Sequence, residues 1–184
     1  MSDLSDHFLI AMPALGDPYF AQTVTYLFQH NAQGAIGIVV NRPLDVELGE
    51  ILQQMDIKPS SPRIARMPIY LGGPVHKDHG FVLHQPGEQW QSTLHLTQTI
   101  AITTSRDILE AIANDHVSGK VLIALGYAGW GPGQLEHEMG ANAWLSGPGN
   151  ADIIFNTPTQ SRWRKAAALL GVDLSHLSGQ AGHA

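Results

Sequence analysis

The chain has 184 residues, 43% of them hydrophobic, which is enough apolar material for one substantial core and little for a second. Ten basic residues stand against sixteen acidic ones, a net charge of -6 with histidines neutral, and this balance argues against a broad sequence-independent grip on nucleic-acid phosphates. Cysteine is absent, so disulfides and thiolate metal sites are excluded, and no apolar stretch approaches the roughly 20 residues that span a bilayer.

The opening "MSDLSDHFLIAMPALGD" is acidic before a very short apolar run, unlike a secretory signal, and a cytoplasmic protein without membrane contact is expected. In chain order, "HFLIAMP", "TVTYLFQH" and "GAIGIVVN" have the β-branched and aromatic content of strands, the last stopped at Arg42-Pro43. Leu48, Ile51, Leu52 and Met55 recur at i, i+3, i+4, i+7 and predict a helix. The segment "DIKPSSPRIARMP", with three prolines, reads as a loop or an adaptable lid. "IYLGGPV" and "GFVLHQ" are two strands about a Gly-Gly-Pro corner, and "STLHLTQTIAITTS" is a further pair. Thr104 with Asp107 resembles a capping box before the helix "ILEAIA". "KVLIALGYAGW" is a continuous apolar run, the expected central strand. A short helix is expected from near Pro132, "DIIFNTP" reads as a late strand, and "TQSRWRKAAALLG" as a helix with Trp163, Ala166, Ala167 and Leu170 inward. Many strand connections are too short for a crossover helix. The expected architecture is therefore one α+β domain over residues 1–184, a mixed curved sheet flanked by several helices.

Four places carry candidate chemistry. "GYAGWGPGQLEHEMGANAWL" has the glycines of a tight turn and the start of a helix, a place that suits an anion, while Glu136 and Glu138 near that start stabilise the helix without any chemistry and a purely structural corner explains the same residues. Its Glu136-His137-Glu138 triplet lacks the three- or four-residue spacing of helical metal ligands. Asn41 and Arg42 end an apolar strand, where Arg42 suits a carboxylate or phosphate. Thr104, Ser105 and Arg106 open a helix, and convergence of these two segments with Gly72 and Gly73 would make an anion-accepting pocket. The plainer reading is a helix cap and a surface ion pair. His76, Asp78, His79 and His84 suit zinc chemically, but a solvated hairpin tip accounts for them equally well, and neither metal nor cofactor is assigned. Ser105 lacks a Gly-x-Ser-x-Gly setting, and "SRWRK" reads as a solvated basic face.

These segments, in this order, resemble the AlgH/YqgE family of bacterial proteins: "FLIAMPALGDPYFAQTVTYLFQHNAQGAIGIVVNRP", "YLGGPV", "GFVLH", "TTSRDIL", "GYAGWGPGQLEHEMGANAWL" and "RWRKAAALLGVDLSHLSGQAGHA". The resemblance covers nearly the whole chain and implies a cytoplasmic α+β protein with a proposed part in transcriptional regulation, a role that defines no reaction. Phe28 stands where relatives often carry cysteine, and His79 where arginine is usual. The polar residues among the motifs that carry the resemblance, Asn41, Arg42, Thr104, Ser105, Gln134 and Glu136, are not what a core demands and imply a shared ligand pocket. The expected function is therefore non-catalytic binding and regulation, with an anionic small molecule or a regulatory protein as partner. The alternative is a hydrolase or nucleotide-processing enzyme using Glu136 and Arg42. Direct nucleic-acid binding is opposed by the charge balance and by the lack of a helix-turn-helix signal.

Overall fold

In the computed structural model, which describes residues 3–180, the sheet is built around the apolar run expected to be central. Strand β9 (Val121–Trp130) pairs antiparallel with β6 (Val75–His84) along one edge, and its other edge is divided between two partners. Near its start β9 runs parallel to β5 (Pro68–Leu71), through Ile69 to Leu71. Near its end it pairs antiparallel with β3 (Gly34–Val39), through Ala35 to Gly37. One edge serving two strands makes the sheet curl into a half-barrel.

From β3 the sheet continues antiparallel through β2 (Val24–Asn31) and β1 (His7–Ala11) to β10 (Trp144–Pro148). From β6 it continues to β8 (Ala101–Thr103) and β7 (Thr93–His95). A short strand β4 (Pro43–Glu47) pairs with β5.

Gly72 and Gly73 sit where these pieces cross. A Cβ on Gly72 would lie 2.3 Å from the Gly126 carbonyl oxygen, and one on Gly73 2.1 Å from the Tyr127 carbonyl carbon. Backbone approaching backbone this closely admits glycine alone. The pair thus acts in sheet closure.

Helices cover both faces. One cluster joins Phe8, Ile10, Tyr26 and Ile38 to α5 (Ala151–Phe155) and α6 (Arg162–Ala168), with Trp163 donating its indole N–H to the Ala11 carbonyl at 2.9 Å. A second packs Ile69, Val82 and Ile123 against α1 (Leu48–Gln54), α2 (Pro62–Ala65) and α3 (Arg106–Ala113). A third, on the opposite face of β1, holds Leu9, Ala11, Leu27, Trp130 and Trp144 with Leu135 of α4 (Gln134–Gly140). Alternate residues of β1 enter different clusters, which is why its sequence is apolar throughout rather than alternating. The chain ends its described part with α7 (Leu174–Gln180).

Three expectations need correction. "DIIFNTP" folds as α5, because Asn150 caps it by accepting from Ile153 N–H at 3.1 Å and three successive apolar residues pack under the sheet. "DIKPSSPRIARMP" is partly helical, with Ser61 as cap and Ile64 buried in the second cluster. Ser105, not Thr104, is the cap position of α3, and the Asp107 carboxylate accepts from Ser105 Oγ (2.6 Å), Gln91 N–H (2.8 Å) and Ile108 N–H (3.0 Å).

Candidate functional site

The candidate residues separate into three places. The first is the glycine- and tryptophan-rich corner after β9. Gly133 takes φ +75 at the start of α4, a conformation that glycine adopts without strain. The Gln134 carbonyl oxygen accepts from Gly131 N–H at 3.0 Å, and its amide donates to Glu138 at 3.0 Å. The other Glu138 oxygen accepts both buried indoles, Trp130 at 3.2 Å and Trp144 at 3.1 Å. Two tryptophans in a core must find acceptors for their N–H groups, and one carboxylate serves both.

Glu136 turns to the opposite side of α4 and lies 2.7 Å from His30 Nε2. Leu4 N–H donates to His30 Nδ1 at 2.9 Å, so Nδ1 is the acceptor and Nε2 carries the proton given to Glu136. That hydrogen bond holds the Glu136 carboxyl below its ordinary value. Bonded at both ring nitrogens, His30 fastens the N-terminal segment to α4.

The second place is a cavity of about 210 Å³ between α1, α3 and the sheet. Ile51, Met55, Leu109 and Ile123 give it apolar walls, and Thr104, Ser105 and Arg106 stand at its rim with Asp78. Arg106 is committed here: it donates to Glu110 at 2.9 Å and to the Met55 carbonyl at 2.5 Å. Ser105 donates to Asp107 and accepts from Ser92 N–H, which ties the segment before β7 to α3 and commits the hydroxyl to the cap. Glu110, outside the lining, pairs with Arg106, and Asp78 adds a carboxylate to the rim.

The third place is a cleft of about 590 Å³ between the end of β3 and the segment that opens α6. Asn41 and Arg42 line it from one side, Thr159, Gln160 and Arg164 from the other, with Ala21, Gln22 and Trp163 completing the wall. Asn41 braces the loop before β2, accepting from Val24 N–H and donating to the Gln22 carbonyl, both at 2.9 Å. Arg42 donates to the carbonyls of Pro18 (3.2 Å) and Ala21 (2.8 Å), which aims its guanidinium and uses two of its five N–H donors.

Among the described residues no carboxylate lines this cleft, and neither Arg42 nor Arg164 forms an ion pair. Behind it, buried Arg162 donates to the Thr157 and Val40 carbonyls and lies over the Tyr70 ring. Arg164 lies over the Trp163 ring, and, after the hydrogen bonds from Ser175, its charge is one of the smaller influences that lower the Asp173 carboxyl, which stands outside the lining of the cleft.

Arg42 and the Thr104–Arg106 segment thus line different cavities, and Gly72 and Gly73 line neither, so the convergent pocket expected from sequence does not form. Glu136 and Arg42 likewise share no cavity, which removes the geometric basis for pairing them in a reaction. Arg164 was missed: the apolar stripe of α6 correctly places Trp163 inward, and only the tertiary contact with the end of β3 brings the next residue opposite Arg42. Of the histidines weighed for zinc, His84 is buried, donates from Nδ1 to the Gln85 carbonyl (2.8 Å) and accepts at Nε2 from Thr103 (2.7 Å). Burial lowers its pKa and keeps it neutral.

Comparison with known proteins agrees with this architecture. A family profile described as DUF179, AlgH-like, matches residues 8–175. A UPF0301 protein of Nitrosococcus oceani is 55% identical over 179 residues, covering 97% of this chain and 96% of its own. One from Vibrio vulnificus is 45% identical over 186 residues, covering 99% and 100%. The solution structure of the AlgH protein from Pseudomonas aeruginosa superposes with a TM-score of 0.82 at 52% identity, over 100% of this chain and 97% of that one. A crystal structure from Corynebacterium diphtheriae, 18% identical, shares the fold with a TM-score of 0.75 over 97% of this chain and 93% of its own. No helix among the described residues is long and apolar enough to cross a membrane. With the profile spanning β1 to α7 and relatives aligned over almost their full length, the chain belongs to the AlgH-like family.

Proposed function

We propose that this chain is a non-catalytic binding and regulatory protein of the cytoplasm, which takes an anionic ligand in the cleft between Arg42 and Arg164. The observation that carries the reading is that two arginines, Arg42 and Arg164, line one cleft whose lining, among the described residues, holds no carboxylate. A planar guanidinium matches the oxygens of a carboxylate or phosphate through parallel N–H donors, and Arg42 is pre-aimed by its two carbonyl contacts. Thr159 and Gln160 supply neutral polar groups for the rest of such a ligand. No nucleophile with a free neighbouring base lines the cleft, which favours binding over turnover.

A regulatory role follows from ligand binding at a junction. The cleft joins the end of β3 to the start of α6, so an occupant would hold together segments more than a hundred residues apart in the chain. The acidic balance favours action through a small molecule or a protein partner rather than through a grip on DNA.

The test is thermal melting of the full chain with inorganic phosphate, nucleotides and di- and tricarboxylates, since a ligand selective for the folded state raises the melting temperature. The expected result is a rise that Arg164→Ala abolishes. Arg164 is exposed, so its loss should not unfold the protein. A rise left intact by both Arg164→Ala and Arg42→Ala would overturn the assignment to this cleft.

A further inference from the structure

Strand β6 contains an irregularity that no feature of the anion cleft explains. Its register against β9 shifts between Val75 and Gly80, and within that bulge His76 takes φ 46. In a regular strand, residues 76 and 79 would project to opposite faces and residues 78 and 79 likewise. Here the bulge cancels the alternation. The rings of His76 and His79 lie stacked, 5.0 Å between centroids and 14° apart in plane. The ring nitrogens of both and a carboxylate oxygen of Asp78 all fall within 4.8 Å of one another.

A left-handed conformation is unfavourable for histidine, and a bulge is a device that re-aims side chains. Burial does not gather two imidazoles and a carboxylate here, since all three are exposed and their ring contacts are limited to the His76–His79 stack and a tilted approach of His76 to Tyr127. Lys77, the residue between them, is drawn elsewhere: its ammonium donates to the Tyr19 hydroxyl at 3.1 Å and lies over that ring, so it does not place its charge among the three. The three side chains make no hydrogen bond or ion pair among the described residues, and the nitrogen and oxygen atoms are thus available.

We infer that His76, Asp78 and His79 form a binding site for a divalent transition metal of the zinc class. Two imidazole nitrogens and one carboxylate oxygen are the donor set that zinc and its neighbours accept, and because all three side chains are exposed, rotation of the rings out of their stack is open to them and would turn the nitrogens toward a common ion. Three protein ligands leave a further position for water or an exchangeable ligand. Asp78 also stands at the rim of the apolar cavity that carries Thr104 and Arg106, so a metal here would be anchored beside that cavity. This inference is independent of the anion cleft, which lies between other segments.

The experiment titrates the chelator-treated full chain with Zn2+ by calorimetry and with Co2+ by visible absorption, where ligand-field bands report coordination by nitrogen and oxygen. Wild type should bind a single Zn2+ per chain. The His76→Asn/His79→Gln double variant keeps a residue tolerant of positive φ at the bulge, so its melting temperature should be unchanged. Its affinity should fall by more than the roughly 10-fold that loss of a supporting partner costs at a metal site, and Asp78→Asn should weaken binding as well. His176→Gln, which removes the exposed histidine beside Asp173, should leave the titration as it is. Failure of the wild-type chain to bind Zn2+, or full-strength binding by the folded double variant or by Asp78→Asn, would overturn the assignment.

Discussion

The corner after β9 and the cleft beside β3 both concentrate unusual residues, yet they differ in what those residues have left to offer. At the corner three of the conspicuous polar side chains are spent inside the protein: Glu138 on two indoles and Gln134, Gln134 on the Gly131 backbone, Glu136 on His30. At the cleft Arg42 has donors remaining, and neither it nor Arg164 meets a carboxylate in an ion pair among the described residues. A buried polar group without a partner is costly, so a folded corner must satisfy its own groups. A charged group at a surface cleft carries no such obligation. Specialised composition thus marks structural difficulty as readily as function, and the remaining bonding capacity separates the two.

The comparison can be broken most forcefully at Trp130. It is 6% exposed, its ring meets Phe20 and Trp144, and its truncation empties the centre of the third cluster. Trp130→Ala should cost about 3–5 kcal/mol in urea unfolding. If the corner is structural alone, the same variant, studied below its melting temperature, should retain the anion response of the cleft. Loss of that response in the folded variant would show that the two regions are coupled.

Glu138→Ala isolates the bonding from the packing. It leaves both tryptophans in place but orphans two buried indole donors, while the exposed Gln134 amide passes to water, and should destabilise by about 2 kcal/mol. Glu138→Gln, whose carbonyl oxygen can still accept, should recover part of that loss. By contrast Arg164→Ala should change stability by no more than about 0.5 kcal/mol, the usual range for a surface position. Equal losses at Glu138 and Arg164 would erase the distinction drawn between the regions.

Much of this architecture was legible in the sequence, for reasons that are local. The run from Val121 to Trp130 announced a strand buried on both faces, and the spacing of Leu48, Leu52 and their neighbours announced a helix packed on one. The segment at Ala151–Phe155 misled because three successive apolar residues suit a buried strand as well as a short helix, and the deciding signal was the Asn150 cap. The individual arginine at position 42 was legible from its place at a strand end. Its companion was not, because Arg164 sits in a basic stretch whose ordinary reading is a solvated face, and only the packing of α6 beside β3 turns it toward the cleft. Likewise the gathering of His76 with His79 depends on a bulge, and one extra residue in a strand inverts every inference drawn from alternation.

The smallest expected effect lies at Glu136, where the corner meets the N-terminal segment. The hydrogen bond from His30 holds the folded carboxyl below its ordinary value of 4.5. A group with a lowered folded pKa contributes stability that is fully present above the unfolded value and is lost as the pH falls through the folded one. Solvent reaches the Glu136 side chain, so screening keeps the contribution small. Glu136→Gln retains an oxygen that can accept from His30 Nε2 but cannot ionise. Melting temperatures of the two proteins, compared from about pH 3 to 7, should differ most above 4.5 and draw together as the acid limit is approached. A gap that stays constant across the range would mean that the charge of Glu136 contributes nothing and that the contact acts through geometry alone, which would make this side of the corner a simple hydrogen bond like those on Glu138.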